Sequence, residues 1–264
     1  MKQTQRGFAI FELLIAVFVI VIIAVAGFFF VKNKPANKDD GKTTSISTTS
    51  SETNTKTDSA KIKHLGVNLD YYDPATKKAG DFLFTNAEVF ANQIFMNYGY
   101  LIPASPDYPA KRNPQPTFFL PLGTKVHSLV DGKVFRVPKL YSDDYSVQVQ
   151  TEGSELIFEA EHVVNVKVKE GDTVKAGDII AEVSPFGSQS GSGLGLFEIG
   201  ILKGGNPPSH ICPFDYLDDS IKDDLLKKIT AFQKSWEEYK GNSNIYDESQ
   251  VVIPGCVSRD PIEG

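Results

Sequence analysis

Clustered positive charge is what this sequence most lacks. Its 27 Lys and Arg are outnumbered by 33 Asp and Glu, for a formal net charge of −6, and no basic stripe forms anywhere along the 264 residues. Affinity for phosphate depends on such clusters, so a nucleic-acid partner is excluded. Cysteine is scarce, with only 2, and histidine is limited to 4. In an oxidising compartment Cys212 and Cys256 are expected to form a disulfide, whose loop closure stabilises by about 4 kcal/mol in the chain-entropy model. The alternative is a metal site built from His210, Cys212 and Cys256. A zinc site takes three or four convergent ligands, and only these three are on offer there. What the chain does have is a balanced composition, 41% hydrophobic and 23% charged, enough for about one to two domains.

Long apolar runs are absent except at the N-terminus, where Phe8–Val31 reads "FAIFELLIAVFVIVIIAVAGFFFV" with Glu12 as its single charge. At 1.5 Å per residue this run crosses a hydrocarbon core of about 30 Å, so a single membrane span over 1–32 is expected. The run exceeds a signal-peptide core, which argues against a cleaved secretory signal. "RGFAIFELL" resembles a type IV prepilin signal. That resemblance implies cleavage between Gly7 and Phe8, with Glu12 pairing with a neighbouring subunit's amine. The other reading is a simple anchor with Glu12 near the headgroups. Pro35 and Gly41 stop the helix soon after the span, which favours a tether over a filament subunit. Residues 33–62 then read as a flexible Ser/Thr-rich linker. The C-terminal part, 63–264, is expected outside the cytoplasm.

The rest reads as one mainly β domain with added helices. "HLGVNLDYYD" alternates like a strand, and "TNAEVFANQIFMNYG" has the cap, spacing and closing glycine of a short helix. Five prolines between Pro103 and Pro116 exclude regular structure and predict a surface loop. Between residues 118 and 202, alternating segments punctuated by glycine predict short strands in a small antiparallel β-barrel or sandwich. They are "TKVHSLVDGKVFRV", "YSVQVQT", "ELIFEAEHV", "VNVKV" and "GDIIAEV". From Asp218 to Lys240, Ile221, Leu225, Ile229, Phe232, Trp236 and Tyr239 recur at helical spacing, and Gly241 follows as a stop.

"GTKVHSLVDGKV", "FEAEH", "VKEGDTVKAGDII" and "GLGLFEIG" together resemble the lysostaphin or LytM-type zinc metallopeptidases, which cut peptidoglycan cross-links. The resemblance covers Phe119 to Ile199 and implies the LytM, or duplicated-hybrid-motif, β-fold. It also implies a zinc held by a histidine, an aspartate and a histidine of an H-x-H pair, with other histidines assisting proton transfer. Here the H-x-H positions are Leu194 and Leu196, and neither can bind zinc. "HLGVN" offers His64 but Asn68 in place of aspartate, while His162 stands where the strand histidine would be. The glycine-punctuated block serves tight turns in other barrels too, so it is evidence of fold. A biotinyl or lipoyl carrier shares that turn, but Lys133 lacks the flanking residues a carrier displays.

A strand period of two puts Leu156, Phe158, Ala160 and His162 on one face, with Glu159 and Glu161 on the other. A bulge would bring Glu161 beside His162, though nothing in the sequence demands one. Glu198 shares a face with Leu194 and Leu196. The residues that carry any chemistry are therefore His162, Glu198 and His64, with no metal ligand assigned and no cofactor expected. Three functions remain open. The first is a membrane-anchored, catalytically degenerate envelope module that binds wall peptide or a partner protein. The second is a metal-dependent peptidoglycan hydrolase with ligands relocated among His64, His162, Glu161 and Glu198. The third is a pilin-like component.

Overall fold

The computed structural model describes residues 60–106, 109–187 and 192–263, so Phe8–Val31, Gly7 and Glu12 lie outside the described residues. So does most of the stretch read as linker, although Ala60 and Ile62 at its end are buried. Among the described residues no helix is long and apolar enough to cross a membrane. Among the described residues, 60–102, 111–187 and 192–263 fall in one compact unit, and 103–106, 109 and 110 fall in another. The latter form no helix.

The larger unit is mainly β. Short strands come first: β1 (Lys78–Ala79) pairs with β2 (Phe82–Leu83), β3 (Phe95–Met96) joins the main sheet, and β4 (Leu101–Ile102) pairs with β5 (Lys111–Arg112). The glycine-punctuated centre supplies β6 (Thr117–Pro121), β7 (Lys125–His127), β8 (Gly132–Arg136), β9 (Tyr145–Gln150) and β10 (Ile157–Val164). It continues with β11 (Thr173–Val174), β12 (Ile179–Val183) and β13 (Leu194–Lys203). β14 (Ser209–His210), helix α1 (Asp219–Lys240) and β15 (Ile262–Glu263) complete the order.

Eleven strands share one antiparallel sheet in the order β11-β8-β9-β10-β13-β14-β15. β6 pairs with β13 and carries β3, while β12 pairs with both β10 and β7. The expected barrel does not close, because β10 changes partner midway. Its Ile157–Glu161 half pairs with β13, and Val163 and Val164 pair with β12. The ladder forks at that point instead of returning on itself.

Four further expectations are corrected. "HLGVNLDYYD" is extended but forms no ladder: Val67 and Leu69 are buried, yet Asp81 N–H donates to the Asn68 carbonyl and His127 N–H to that of Gly66. The segment expected as a helix holds only a 3-10 turn at Phe90–Asn92. Ala91 and Asn92 sit at φ 53° and 57°, where the helical ladder cannot continue, and Phe95 then pairs with Phe118 in the sheet. Ile94, Phe95 and Met96 are all buried, a short continuous apolar run that suits a strand covered on both faces. Of "VNVKV", only Val164 belongs to a strand, since Asn165 at φ 50° ends β10. The proline-rich stretch is not wholly surface loop either, because it contains β5, and Asn113, Gln115 and Pro116 are buried.

Helix α1 forms as its periodicity predicts. The Asp218 side chain accepts from Ser220 N–H at its start, and Gly241 closes it in the left-handed region. Leu225, Ile229, Phe232 and Trp236 are buried against Phe82, Phe84 and Phe95, with ring centroids of Phe82 and Phe232 4.7 Å apart. Cys212 and Cys256 form a disulfide with Cα atoms 6.2 Å apart. Both sulfurs being so engaged, the alternative metal set of His210, Cys212 and Cys256 is ruled out.

Candidate functional site

Four adjacent strands, β9, β10, β13 and β6, present one polar face. Thr117 on β6 lies opposite Glu198 on β13, and Glu198 lies opposite Glu161 on β10. One register step along, Gln148 lies opposite Glu159, which in turn lies opposite Gly200. A methyl built on Gly200 would meet Glu159 Oε1 at 2.5 Å and Gln115 Nε2 at 2.9 Å. Only glycine leaves the space these two side chains fill.

The bulge that the sequence did not demand is present. The register between β10 and β9 shifts between Ala160 and Val163, with His162 at φ 56°. An inserted residue re-aims the side chains beyond it. His162 therefore leaves the face of Phe158 and Ala160 and joins Glu161, at the point where β10 exchanges β13 for β12. Ser184 N–H donates to the His162 carbonyl and helps hold the fork.

His162 is buried, with its ring stacked on Phe186 at 4.2 Å between centroids. Its Nδ1 donates to Asp144 Oδ2 at 3.0 Å, and Ser142 Oγ lies 3.3 Å from the same nitrogen. Its Nε2 faces Glu198 Oε2 at 3.8 Å. Thr117 Oγ1 donates to Glu198 Oε1 at 2.7 Å, and Gln115 Nε2 donates to Glu161 Oε2 at 2.8 Å. Behind this group, Glu159 accepts from Gln115 at 3.0 Å, from Gln148 at 3.0 Å and from His210 Nε2 at 2.8 Å.

These contacts push the titrations apart. Burial works against the His162 imidazolium, but the hydrogen bond to Asp144 and the charges of Glu198, Asp144 and Glu161 outweigh it and hold the imidazole above its usual range. Burial likewise opposes the Asp144 carboxylate, yet hydrogen bonds from His162, Ser142 and Ser184 hold it below the usual carboxylate range. Glu161 is pushed up from 4.5 to about 7 by burial first and the charge of Glu159 second, against the hydrogen bond from Gln115. Burial also raises Glu198, against His162 and Thr117. The result is a His162–Asp144 pair whose charged forms are favoured, beside two carboxyl groups whose charged forms burial opposes. Such a set can hold and exchange protons, and it can receive positive charge.

Of the residues singled out from the sequence, His162 and Glu198 come together and Glu161 joins them, whereas His64 does not. The His64 ring lies 4.8 Å from that of His127, and burial followed by His127 lowers its titration. Asp144, Thr117, Gln115 and Phe186 were not legible as site residues. Asp144 sits in an unpatterned loop, and Thr117 and Gln115 follow a proline cluster, so neither offers a periodic signal.

Residues 116–207 match the model of peptidase family M23. The chain carries an M23 peptidase-family domain. This M23 domain has likenesses among solved structures. LytU is 26% identical over 48% of this chain and 87% of its own, with a TM-score of 0.39. The catalytic domain of the antimicrobial peptidase lysostaphin from Staphylococcus simulans is 20% identical, over 46% and 88%, with a TM-score of 0.37. A catalytic-domain mutant of EnpA, a prophage-encoded M23 protein from Enterococcus faecalis, is 23% identical, over 45% and 88%, with a TM-score of 0.35. No curated protein matches the chain.

The zinc ion that the M23 resemblance implies does not fit the residues present. Leu194 and Leu196 have no donor atoms, and His162 Nδ1 is engaged by Asp144. Among the described residues no group of three His, Cys, Asp or Glu is arranged to hold a metal ion. The polar face is a charged, hydrogen-bonded cluster in which an M23 metal centre has no ligand set.

Proposed function

We propose that this protein is a non-hydrolytic M23-type module of the cell envelope, tethered by its N-terminal apolar segment, that holds a wall peptide or an envelope partner in the groove around His162. One observation carries the reading: the β13 positions that would coordinate zinc are leucines, while the adjoining polar face is built from side chains tied to one another by hydrogen bonds. A relic with no use for its groove gains nothing from burying Asp144, Glu159 and His162, because buried charge costs stability unless fully partnered.

The test is direct. The full chain, purified in detergent and incubated with zinc, is expected to retain well under one equivalent after dialysis and to release no fragments from cross-linked peptidoglycan. It is also expected to pellet with insoluble peptidoglycan. Stoichiometric zinc accompanied by cleavage would sink the proposal.

A further inference from the structure

The groove has more acceptors than its own residues can satisfy. Among the described residues no Lys or Arg forms an ion pair with Asp144, Glu159, Glu161 or Glu198, so their only basic neighbours are the rings of His162 and His210. Asp144 consumes His162, at 3.0 Å, and Glu159 takes His210, at 2.8 Å. Glu161 and Glu198, directly opposite each other, are left with one neutral hydrogen bond apiece and a 3.8 Å approach from His162. Like charges directly across a ladder repel.

A second, independent observation points to a ligand. Ser146 is 1% exposed, and its Oγ has no hydrogen-bond partner. It lies two residues before Gln148 on β9, hence on the face that meets Glu159, and opposite the bulge formed by Glu161 and His162. A buried hydroxyl left unpaired is costly, and native structures seldom leave one without a use. The groove is also walled by aromatic rings. Tyr141 is 71% exposed and meets Phe186 edge to face at 5.9 Å, while Phe186 covers His162. Partial burial and the charges of Glu198, Glu161 and Asp144 push the Tyr141 hydroxyl up.

We infer that this groove binds a primary ammonium group of a peptide, with Glu161, Glu198 and Ser146 as its three acceptors and Tyr141 and Phe186 as its aromatic wall. The inference rests on the reading of the groove as a ligand-holding site. An ammonium carries three donors, matching the three acceptors, and an aromatic face attracts a cation. A divalent ion is a poorer match, since no metal-holding group of three is present among the described residues.

Two measurements on the full chain in detergent separate this inference from the reading beneath it. In calorimetric titration, Nα-acetyl-lysine methylamide is expected to bind at least about tenfold more tightly than the same compound acetylated at its ε-amine, each tenfold being about 1.4 kcal/mol. The double variant E161Q/E198Q keeps the side-chain shapes and is expected to lose that preference while still melting cooperatively. Equal affinity for the two compounds, binding of neither, or a preference that survives in the double variant overturns the ammonium assignment. Pelleting with peptidoglycan before and after acetylation of its amines tests the other level. Undiminished pelleting after acetylation overturns the ammonium assignment and leaves the envelope-module reading intact. A chain that binds the lysine probe but pellets with neither wall preparation supports the ammonium site and counts against wall peptide as its source.

Discussion

Glu161 is the residue whose ionisation the fold opposes most visibly. Its carboxyl titrates at 4.5 when unburied and is pushed up to about 7 here, by burial and then by Glu159. A group raised in this way contributes stability that is fully present below its unfolded value and is lost as the pH climbs through its folded one. The unfolding free energy is therefore expected to fall between about pH 5 and pH 8. His162, also raised, tilts the curve the same way, whereas Asp144, held low, costs stability only at the acid end. Urea titrations at pH 5 and pH 8 check this, and Glu161→Gln is expected to flatten the decline while its amide carbonyl still accepts from Gln115. A decline that E161Q leaves unchanged would assign it elsewhere. This coupling was only half legible in the sequence. Strand alternation put Glu159 and Glu161 together, and position marked His162. Moving His162 to their face took an inserted residue whose φ of 56° leaves no periodic trace. Gly200 was likewise silent, because the glutamate and glutamine that need its space come from segments distant in the chain.

Among the elements, helix α1 was read from sequence almost to the residue, since stripe and stop agree there. Trp236 is fully buried at 0% exposure, its ring meeting Phe84 at 5.2 Å and its indole N–H donating to the Asn92 carbonyl at 2.8 Å. Trp236→Ala is expected to lower the unfolding free energy by about 3 to 5 kcal/mol, through lost burial, a cavity and an orphaned carbonyl, as denaturant titration would measure. A loss below about 1 kcal/mol would mean that the helix packs elsewhere. The segment around Phe90 misled for the opposite reason. Its helical spacing was real over a few residues, but Phe95 and Met96 within the buried run belong to the sheet, and two residues at positive φ end the helical conformation before them. Short apolar runs are ambiguous until their neighbours are known, and tertiary pairing decided this one.

The whole unit is closed by the Cys212–Cys256 bond, which spans 44 residues and encloses α1. In the chain-entropy model such a loop stabilises by about 4 kcal/mol, so reduction is expected to lower the melting temperature by several degrees or more. Thermal melts with and without reductant read the shift, and an unchanged melting temperature would show that the bond adds nothing to the native state. At this scale the sequence conveyed the β-rich centre, the disulfide and the M23 likeness, because glycine turns and cysteine count are local signals. It did not convey that the sheet stays open, which depends on one strand changing neighbours.

That change of neighbours divides β10 into two lengths with different anchors. Ile157–Glu161 are fastened to β13, and Val163 and Val164 to β12, with His162 between them. Fluctuations that loosen β12 can therefore leave the first length protected, so the amides on the two sides of His162 belong to separate units of local opening. Any occupant that wedges these strands apart changes the exchange rate of one set before the other, and the histidine lies on the boundary.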